Sequence, residues 1–223
     1  TLTTKLARFS TDGLFTGTYE GPGRSTLERD FEHRLAALYA NAETPRLSGV
    51  QIKAPMHLDA EGKLSPGVAL PFTHILKPAG TSGFDSLPLV EWIGPTLAAA
   101  AGLTPPDSVR LQRPEELPPA LVVERFDIRE QADDPRWIAL EDMCSVLDLA
   151  PHDKYTGTIE RVAKAVRALS TAPEEDLLVL VRRALFTWLI ADGDMHLKNM
   201  ALLKVAHSGD AAFRTVRLAP VYD

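Results

Sequence analysis

The chain is poor in cysteine and has no excess of positive charge. Its one cysteine, Cys144, excludes a disulfide within the chain and predicts a protein of the reducing cytoplasm. The apolar neighbours of Cys144 predict a buried structural side chain. The 24 lysines and arginines are outnumbered by 30 aspartates and glutamates, which gives a formal net charge of −6. Direct binding of DNA or RNA needs a concentrated basic face, so this composition argues against a free-standing nucleic-acid-binding protein.

Long apolar runs are also absent. The most hydrophobic stretch, 177–190, is interrupted by Arg182 and Arg183 and is too short to cross a bilayer. Residues 1–5 lack the apolar core of a signal peptide. With 45% hydrophobic and 24% charged residues, the chain has the composition of one large domain or two small lobes. We therefore expect a soluble protein that does not contact membranes.

Hydrophobic periodicity predicts a mixed first half and a helical second half. The elements predicted in the first half are a helix within 26–42, β-prone runs at 49–58 broken at Pro55, a turn at 59–63, a strand at 72–77, a helix at 87–101 with a kink or late start near Pro95 and an end at Gly102, and strands at 108–111 and 120–126. Those predicted in the second half are helices at 137–149 and 159–169, a helix that a capping box at 171–174 opens and that continues to Leu189, and a hairpin of 200–205 with 212–218. The helix that ends at Leu189 is apolar nearly all round, which predicts that it is buried.

This order of elements predicts an α+β fold with the two lobes of a protein kinase. Residues 1–127 would form a mixed β/α N-lobe that ends in a hinge at 124–127. Residues 128–223 would form a helical C-lobe that carries the catalytic loop and a metal-binding aspartate.

Three oxygen-bearing side chains have the spacing of a phosphotransferase site. In protein kinases an Asp-x-x-x-x-Asn loop supplies the catalytic base and a metal ligand, and a later aspartate binds metal as well. Asp194 and Asn199 have this spacing, and Asp223 follows the predicted hairpin. Alternatively, 192–194 is a polar turn after a helix, because an isolated Asp-x4-Asn match is weak. The flanking elements favour a kinase in which Asp194 is the base and Asn199 and Asp223 bind Mg²⁺.

Several lysines and one histidine are candidates for holding ATP. Lys77 ends a predicted strand, where kinases place a phosphate-binding lysine, but edge strands also use lysine to prevent aggregation. Glu91 on the following helix could pair with Lys77. His196 and Lys198 could contact phosphates, and His196 could equally brace the loop by hydrogen bonding.

Two further segments are candidates for contact with the nucleotide. Gly49 would let backbone amides approach the phosphates, and Ser48 or Lys53 could reach their oxygens. The phosphate-covering loop would comprise Ser48, Gly49, Val50, Gln51, Ile52 and Lys53. The hinge would meet the adenine edge through Glu124, Arg125 and Phe126; the alternative is an ordinary loop with a core phenylalanine.

Eight stretches of the sequence together carry a resemblance to a known family. They are 48–53, 73–78, 98–103, 123–127, 141–144, 154–155, 194–199 and 218–223. In type and order they resemble the HipA family of bacterial serine kinases, the toxins of toxin–antitoxin modules. The resemblance implies ATP and Mg²⁺ as cofactors, with the residues named above in the stated roles and Tyr222 also at the nucleotide.

The resemblance also implies partners and a means of control. Family members phosphorylate a serine of an aminoacyl-tRNA synthetase, are restrained by a helix-turn-helix antitoxin, and inactivate themselves by autophosphorylation near the glycine-containing loop. Some full-length members carry the modified serine where this chain has Arg46, so Ser48 is the candidate here.

The chain differs from full-length family members at both ends. We expect the chain to lack the amino-terminal subdomain of full-length members, which resembles the shorter HipT branch, where a small separate protein takes its place. The chain also stops at Asp223, where the family continues with further C-lobe helices. We therefore expect either a fragment with a truncated C-lobe or an unusually small C-lobe. The sequence thus predicts a serine/threonine kinase toxin of a HipBA- or HipBST-like module. The alternative is a catalytically silent nucleotide-binding or interaction subunit of such a complex.

Overall fold

A computed structural model describes residues 53–58, 64–66, 72–78, 86–106, 108–111, 120–129, 136–206 and 209–223. These residues belong to two compact units. The first contains the described residues up to Gly94 and those from 108 to Arg125, and the second contains Pro95–Pro106 and the residues from Phe126 onward. No helix in these ranges is both long and apolar enough to cross a membrane.

The first unit contains a five-stranded antiparallel sheet with the strand order β2-β1-β3-β5-β4. Its strands are β1 (Ala54–Leu58), β2 (Leu64–Pro66), β3 (His74–Lys77), β4 (Ser108–Leu111) and β5 (Ala120–Glu124). Apolar side chains of the three central strands form its core: Ala54, Met56, Leu76, Leu121 and Val122. The predicted break at Pro55 is wrong, because β1 continues through it. The fixed φ of proline suits an extended chain, so the residue removes one donor without ending the strand.

Helix α1 (Leu87–Ala100) contains residues of both units and has Pro95 inside it. It therefore starts well before the proline, and the predicted late start there is wrong. Its end is confirmed at Gly102, which has a φ of +78°. Gly102 N donates to the Ala99 carbonyl at 3.1 Å and Leu103 N to the Ala98 carbonyl at 2.9 Å. Both bonds satisfy terminal carbonyls of the helix, and the left-handed backbone between them favours glycine.

The second unit packs helices against a three-stranded antiparallel sheet with the order β10-β9-β8. The strands of this sheet are β8 (Ala139–Asp142), β9 (Ala201–Val205) and β10 (Thr215–Leu218). A separate two-stranded sheet consists of β6 (Ile128–Arg129) and β7 (Arg136–Trp137). Its helices are α2 (Met143–Val146), α3 (Ile159–Leu169) and α4 (Pro173–Leu189), with single 3-10 turns at Pro151–Asp153 and Leu197–Asn199. The core consists of Met143, Cys144, Val162, Val166, Leu180, Leu197, Met200, Leu202 and Leu218. The predicted helix at 159–169, the hairpin and the burial of Cys144 are confirmed.

The prediction of one helix across 137–149 is wrong. Residues there first form β7 and β8, and only Met143–Val146 are helical. β8 pairs with β9, which places Leu140 opposite Leu203. The Asp142 carboxylate then accepts a hydrogen bond from Ser145 N at 3.0 Å and starts the short helix. A distant pairing partner has overridden the local helical pattern.

Helix α4 has the predicted extent, but two of its predicted features are wrong. Its N-cap is Ala172, which has no capping side chain, because the Thr171 hydroxyl donates to the Val216 carbonyl instead. The helix is also not buried all round. Its buried face carries Asp176, Leu180, Arg183 and Thr187, and its exposed apolar face carries Leu178, Val181, Leu185, Trp188 and Leu189. Polar side chains thus occupy much of the face that packs inward.

Candidate active site

The candidate catalytic loop, residues 192–199, follows directly from the end of α4. Asp192 N donates to the Thr187 carbonyl at 2.9 Å, and Ala191 takes a φ of 56° between helix and loop. Such a left-handed residue turns the chain sharply away from the helix axis. Asp194 N then donates to the Asp192 carboxylate at 2.9 Å. This local bond fixes the backbone that presents the proposed base.

Asp194 and Asn199 lie together, as their spacing predicts. The Asn199 side-chain amide nitrogen donates to the Asp194 carbonyl at 3.0 Å, and the Asn199 backbone nitrogen donates to the His196 carbonyl at 3.0 Å. Asn199 is buried, whereas the Asp194 side chain is 64% exposed. Because the side-chain nitrogen of Asn199 faces the Asp194 carbonyl, the Oδ1 atom of Asn199 points away from that carbonyl. The loop therefore offers one exposed carboxylate and one fixed amide oxygen.

His196 contacts the residues around the proposed base. Its Nε2 atom lies 3.0 Å from Lys154 Nζ and 3.7 Å from the Asp194 carboxylate. A lysine ammonium can only donate, so Nε2 accepts and the ring proton is assigned to Nδ1. Nδ1 is buried and has no hydrogen-bond partner among the described residues. The imidazole thus connects Lys154 to the catalytic loop.

Lys198 is held on the other side of the loop by an ion pair. Its Nζ atom lies 2.6 Å from the Asp142 carboxylate, which also caps α2. The Lys198 carbonyl accepts a hydrogen bond from the Tyr222 hydroxyl at 3.1 Å. The Tyr222 ring packs on Phe126, with 5.2 Å between ring centroids. Burial raises the pKa of Tyr222 above its ordinary range.

Arg183, on the inward face of α4, joins the two segments that carry the proposed metal ligands. Its Nη2 atom donates to the backbone carbonyls of Asn199 and Tyr222. The side chain is buried, and this burial lowers the pKa of Arg183. Its Nε and Nη1 atoms have no hydrogen-bond partner within the described ranges. The sequence does contain a signal for this role, because Arg183 has the helical spacing that places it on the same face as Leu180 and Thr187. From the sequence alone, the arginine is interpreted only as an interruption of the apolar run.

The two segments that Arg183 joins each carry an oxygen-bearing side chain. Asn199 offers an amide oxygen. Asp223, directly after Tyr222, offers a carboxylate, and its backbone has a φ of 65°. Magnesium is usually held by one or two carboxylates together with phosphate oxygens and waters. In the described part of the chain no cluster of three or more histidine, cysteine or acidic side chains could hold a metal by itself. The amide and carboxylate oxygens at these two positions are of the ligand type that magnesium takes.

The first unit contains the other candidates. Lys77, at the end of β3, is buried and pairs with Glu91 of α1 at 3.3 Å, so the predicted ion pair forms. Glu124 ends β5, and the Arg125 guanidinium lies 4.1 Å from the centroid of the Phe72 ring. Lys53 is half-buried next to β1. The rest of the predicted phosphate-covering loop, 48–52, lies outside the described residues.

Comparison with known proteins decides the family. A family model described as the HipA-like C-terminal domain matches residues 46–223. The chain belongs to this family. Two Sinorhizobium fredii proteins named "Putative kinase", Y4mE and Y4dM, are 33% and 28% identical to it over 195 and 214 residues. These matches cover 83% and 87% of the chain but only 44% and 48% of the relatives, so the chain spans about half their length.

Two solved structures have the same fold as this HipA-like chain. One is HipA of Shewanella oneidensis MR-1, in complex with HipB and operator DNA, with a TM-score of 0.58 and 20% identity over 82% of this chain and 44% of that one. The other is the Helicobacter pylori proinflammatory kinase CtkA, with a TM-score of 0.51 and 16% identity over 67% of this chain and 50% of that one. The predicted α+β kinase-like fold is thereby confirmed.

Proposed function

We propose that this HipA-like chain is the catalytic part of an ATP- and Mg²⁺-dependent serine/threonine protein kinase. The observation that carries the proposal is the loop in which exposed Asp194 and buried Asn199 are hydrogen-bonded together, at the spacing that kinases use. Family membership and the two kinase-named relatives support the reaction class.

Within this proposal we assign each side chain a task. Asp194 accepts the proton of an attacking serine or threonine hydroxyl, which its exposure leaves accessible. Asn199 presents its amide oxygen, and Asp223 its carboxylate, as ligands for Mg²⁺. When bound, the ion neutralises phosphate charge and orients the transferred group. Arg183 holds the backbones of both ligand segments by its two carbonyl contacts.

The residues that we propose to bind the nucleotide are those that the sequence predicts. Lys77, held by Glu91, binds phosphate oxygens, as the strand-end lysine of kinases does. The segments 48–53 and 124–126 take the phosphate-covering and adenine-lining roles. In the second unit, His196, Lys198 and Tyr222 are the proposed nucleotide contacts.

The biological setting is part of the same proposal. The Shewanella oneidensis HipA structure includes HipB and operator DNA, which supports an antitoxin partner for this chain as well. We assign it to a HipBA- or HipBST-like module of the cytoplasm, with an aminoacyl-tRNA synthetase as substrate and Ser48 as the autophosphorylation site. In the HipT-like arrangement a small protein replaces the amino-terminal subdomain. The acidic composition supports DNA contact through a basic partner and not through this chain.

The direct test is transfer of labelled phosphate from Mg-ATP by the full-length protein and its Asp194→Asn variant. Loss of a general base lowers the rate by ~10²–10⁴-fold. Glu160→Gln, which changes an exposed carboxylate in the first turn of α3, is the matched control and should retain full activity. Undiminished transfer by Asp194→Asn would reject the assigned base. Binding of Mg-ATP without any phosphoprotein would instead support the catalytically silent subunit.

A further inference from the structure

The segment 154–157 lies directly against the proposed catalytic loop. Leu197 N donates to the Lys154 carbonyl at 3.0 Å, which joins the two backbones. Gly157 lies so near the buried Leu197 side chain that a Cβ atom at residue 157 would be 2.5 Å from it. The backbone of this segment is therefore held against the loop.

Tyr155 projects from this segment onto the proposed base. Its hydroxyl donates to Asp194 Oδ1 at 2.8 Å. Its ring meets the His196 ring edge-on, with 5.0 Å between centroids, and Lys154 Nζ lies 4.8 Å from its centroid. Lys154 Nζ also contacts His196 Nε2 at 3.0 Å. Although Tyr155 is 62% exposed, two neighbouring side chains thus determine where its hydroxyl points.

The carboxylate of Asp194 has little else to orient it. The terminal torsion of an aspartate is broad and two-fold, so an exposed carboxylate samples many orientations. Within the described part of the chain, the Tyr155 hydroxyl is the one side-chain group at hydrogen-bond distance from this carboxylate. It engages Oδ1 and leaves Oδ2 for an incoming group.

The geometry points to Tyr155 as a positioning residue for Asp194, an inference that rests on the proposed kinase function. Its hydroxyl holds the carboxylate in one orientation, so that Oδ2 meets the acceptor hydroxyl. Lys154 supports this arrangement through His196 and the face of the Tyr155 ring. General bases in enzymes are commonly oriented by such a third group, and small misplacements of a catalytic group are costly to rate.

The decisive variant is Tyr155→Phe in the full-length protein. It retains the ring contacts with His196 and Lys154 and removes only the hydroxyl. We expect kcat for phosphate transfer to fall ~3- to 10-fold, as for the loss of one hydrogen bond, with an unchanged KM for ATP. Thr156→Val is the matched control, because the Thr156 hydroxyl donates to the Asp153 carbonyl, outside the loop. The control should retain wild-type kcat.

A double-mutant cycle separates positioning from a general effect on structure. If Tyr155 acts through the carboxylate, Tyr155→Phe has no further effect on the residual rate of Asp194→Ala. An equal loss in both backgrounds would overturn the inference. An unchanged rate for the single variant Tyr155→Phe would overturn it as well. So would a raised rate, since the hydroxyl would then compete with the substrate for the carboxylate.

Absence of phosphate transfer by the wild-type protein would count against the proposed function alone. A second measurement tests the contact between Tyr155 and Asp194 in that case. Carbon-13 NMR of the labelled aspartate carboxylates should show one signal, that of Asp194, displaced in Tyr155→Phe and unchanged in Thr156→Val. An undisturbed Asp194 signal would show that no such hydrogen bond exists.

Discussion

Gly157→Ala is the substitution for which the structure gives the sharpest expectation. A Cβ at this position would lie 2.5, 2.6 and 2.7 Å from the Cδ2, Cγ and Cδ1 atoms of Leu197. Real Cβ atoms essentially never approach other heavy atoms so closely, so the Leu197 side chain has to move. That side chain is 2% exposed, and its backbone nitrogen is bonded to the Lys154 carbonyl. Its displacement must therefore disturb the core or the catalytic loop.

The expected cost follows from overpacking. Extra methyl groups in a well-packed core typically destabilise by about 1–3 kcal/mol, and contact with the whole end of a buried leucine places Gly157→Ala near 2 kcal/mol. For a protein of this size, that corresponds to a melting temperature lower by roughly 4–8 °C. If the loop moves instead of the core, phosphate transfer falls by on the order of 10²-fold, because the base is misplaced.

Thermal unfolding and phosphate transfer of the full-length variant measure both effects. Gly193→Ala is the matched control for stability, since it lies in the candidate catalytic loop itself and a Cβ there meets nothing within 4 Å. We expect it to be as stable as the wild type or slightly more so. In a Leu197→Ala background, Gly157→Ala should cost almost nothing. A wild-type melting temperature for Gly157→Ala, or an equal cost in both backgrounds, would refute the reasoning.

Two further predictions concern stability. Asp176 is 3% exposed and accepts three hydrogen bonds, one of them from Arg217, so Asp176→Ala should lower the free energy of unfolding in urea by ~3 kcal/mol. Glu175→Ala, which removes a 73% exposed partner of Arg217, should cost less than ~1 kcal/mol, and similar losses would contradict this. Burial raises the pKa of Tyr222 above its ordinary value of 10.0, so the unfolded chain loses this proton first and stability falls as pH rises above 10.0. Between about pH 9 and about pH 11, the free energy of unfolding in urea should fall less for Tyr222→Phe than for the wild type. Equal losses in the two proteins would show that Tyr222 is not the cause.

Elements with a local signal were predictable from the sequence. The apolar spacing of α3 appears as the buried pair Val162 and Val166, and Gly102 ends α1 where a left-handed residue is needed. The proximity of Asp194 and Asn199 was also predictable, because their spacing alone limits how far apart they can lie. In each case the information lies within a few neighbouring residues.

Features that depend on distant residues were not predictable in this way. Strand β8 forms because β9, sixty residues later in the chain, supplies its hydrogen bonds. Thr171 does not cap α4 because Val216 offers it another acceptor. The sequence indicates Tyr155 only as part of the stretch 154–155, because its contact with Asp194 depends on tertiary packing. No local pattern encodes these partners.

The buried arginine of α4 has a mechanical consequence. A single nitrogen of Arg183 bonds the carbonyls of Asn199 and Tyr222, which stand on opposite sides of the β9–β10 hairpin in sequence. A shift of α4 is therefore transmitted to the two segments simultaneously, and neither can be displaced far while the other stays in place. The helix is therefore a common anchor for both segments.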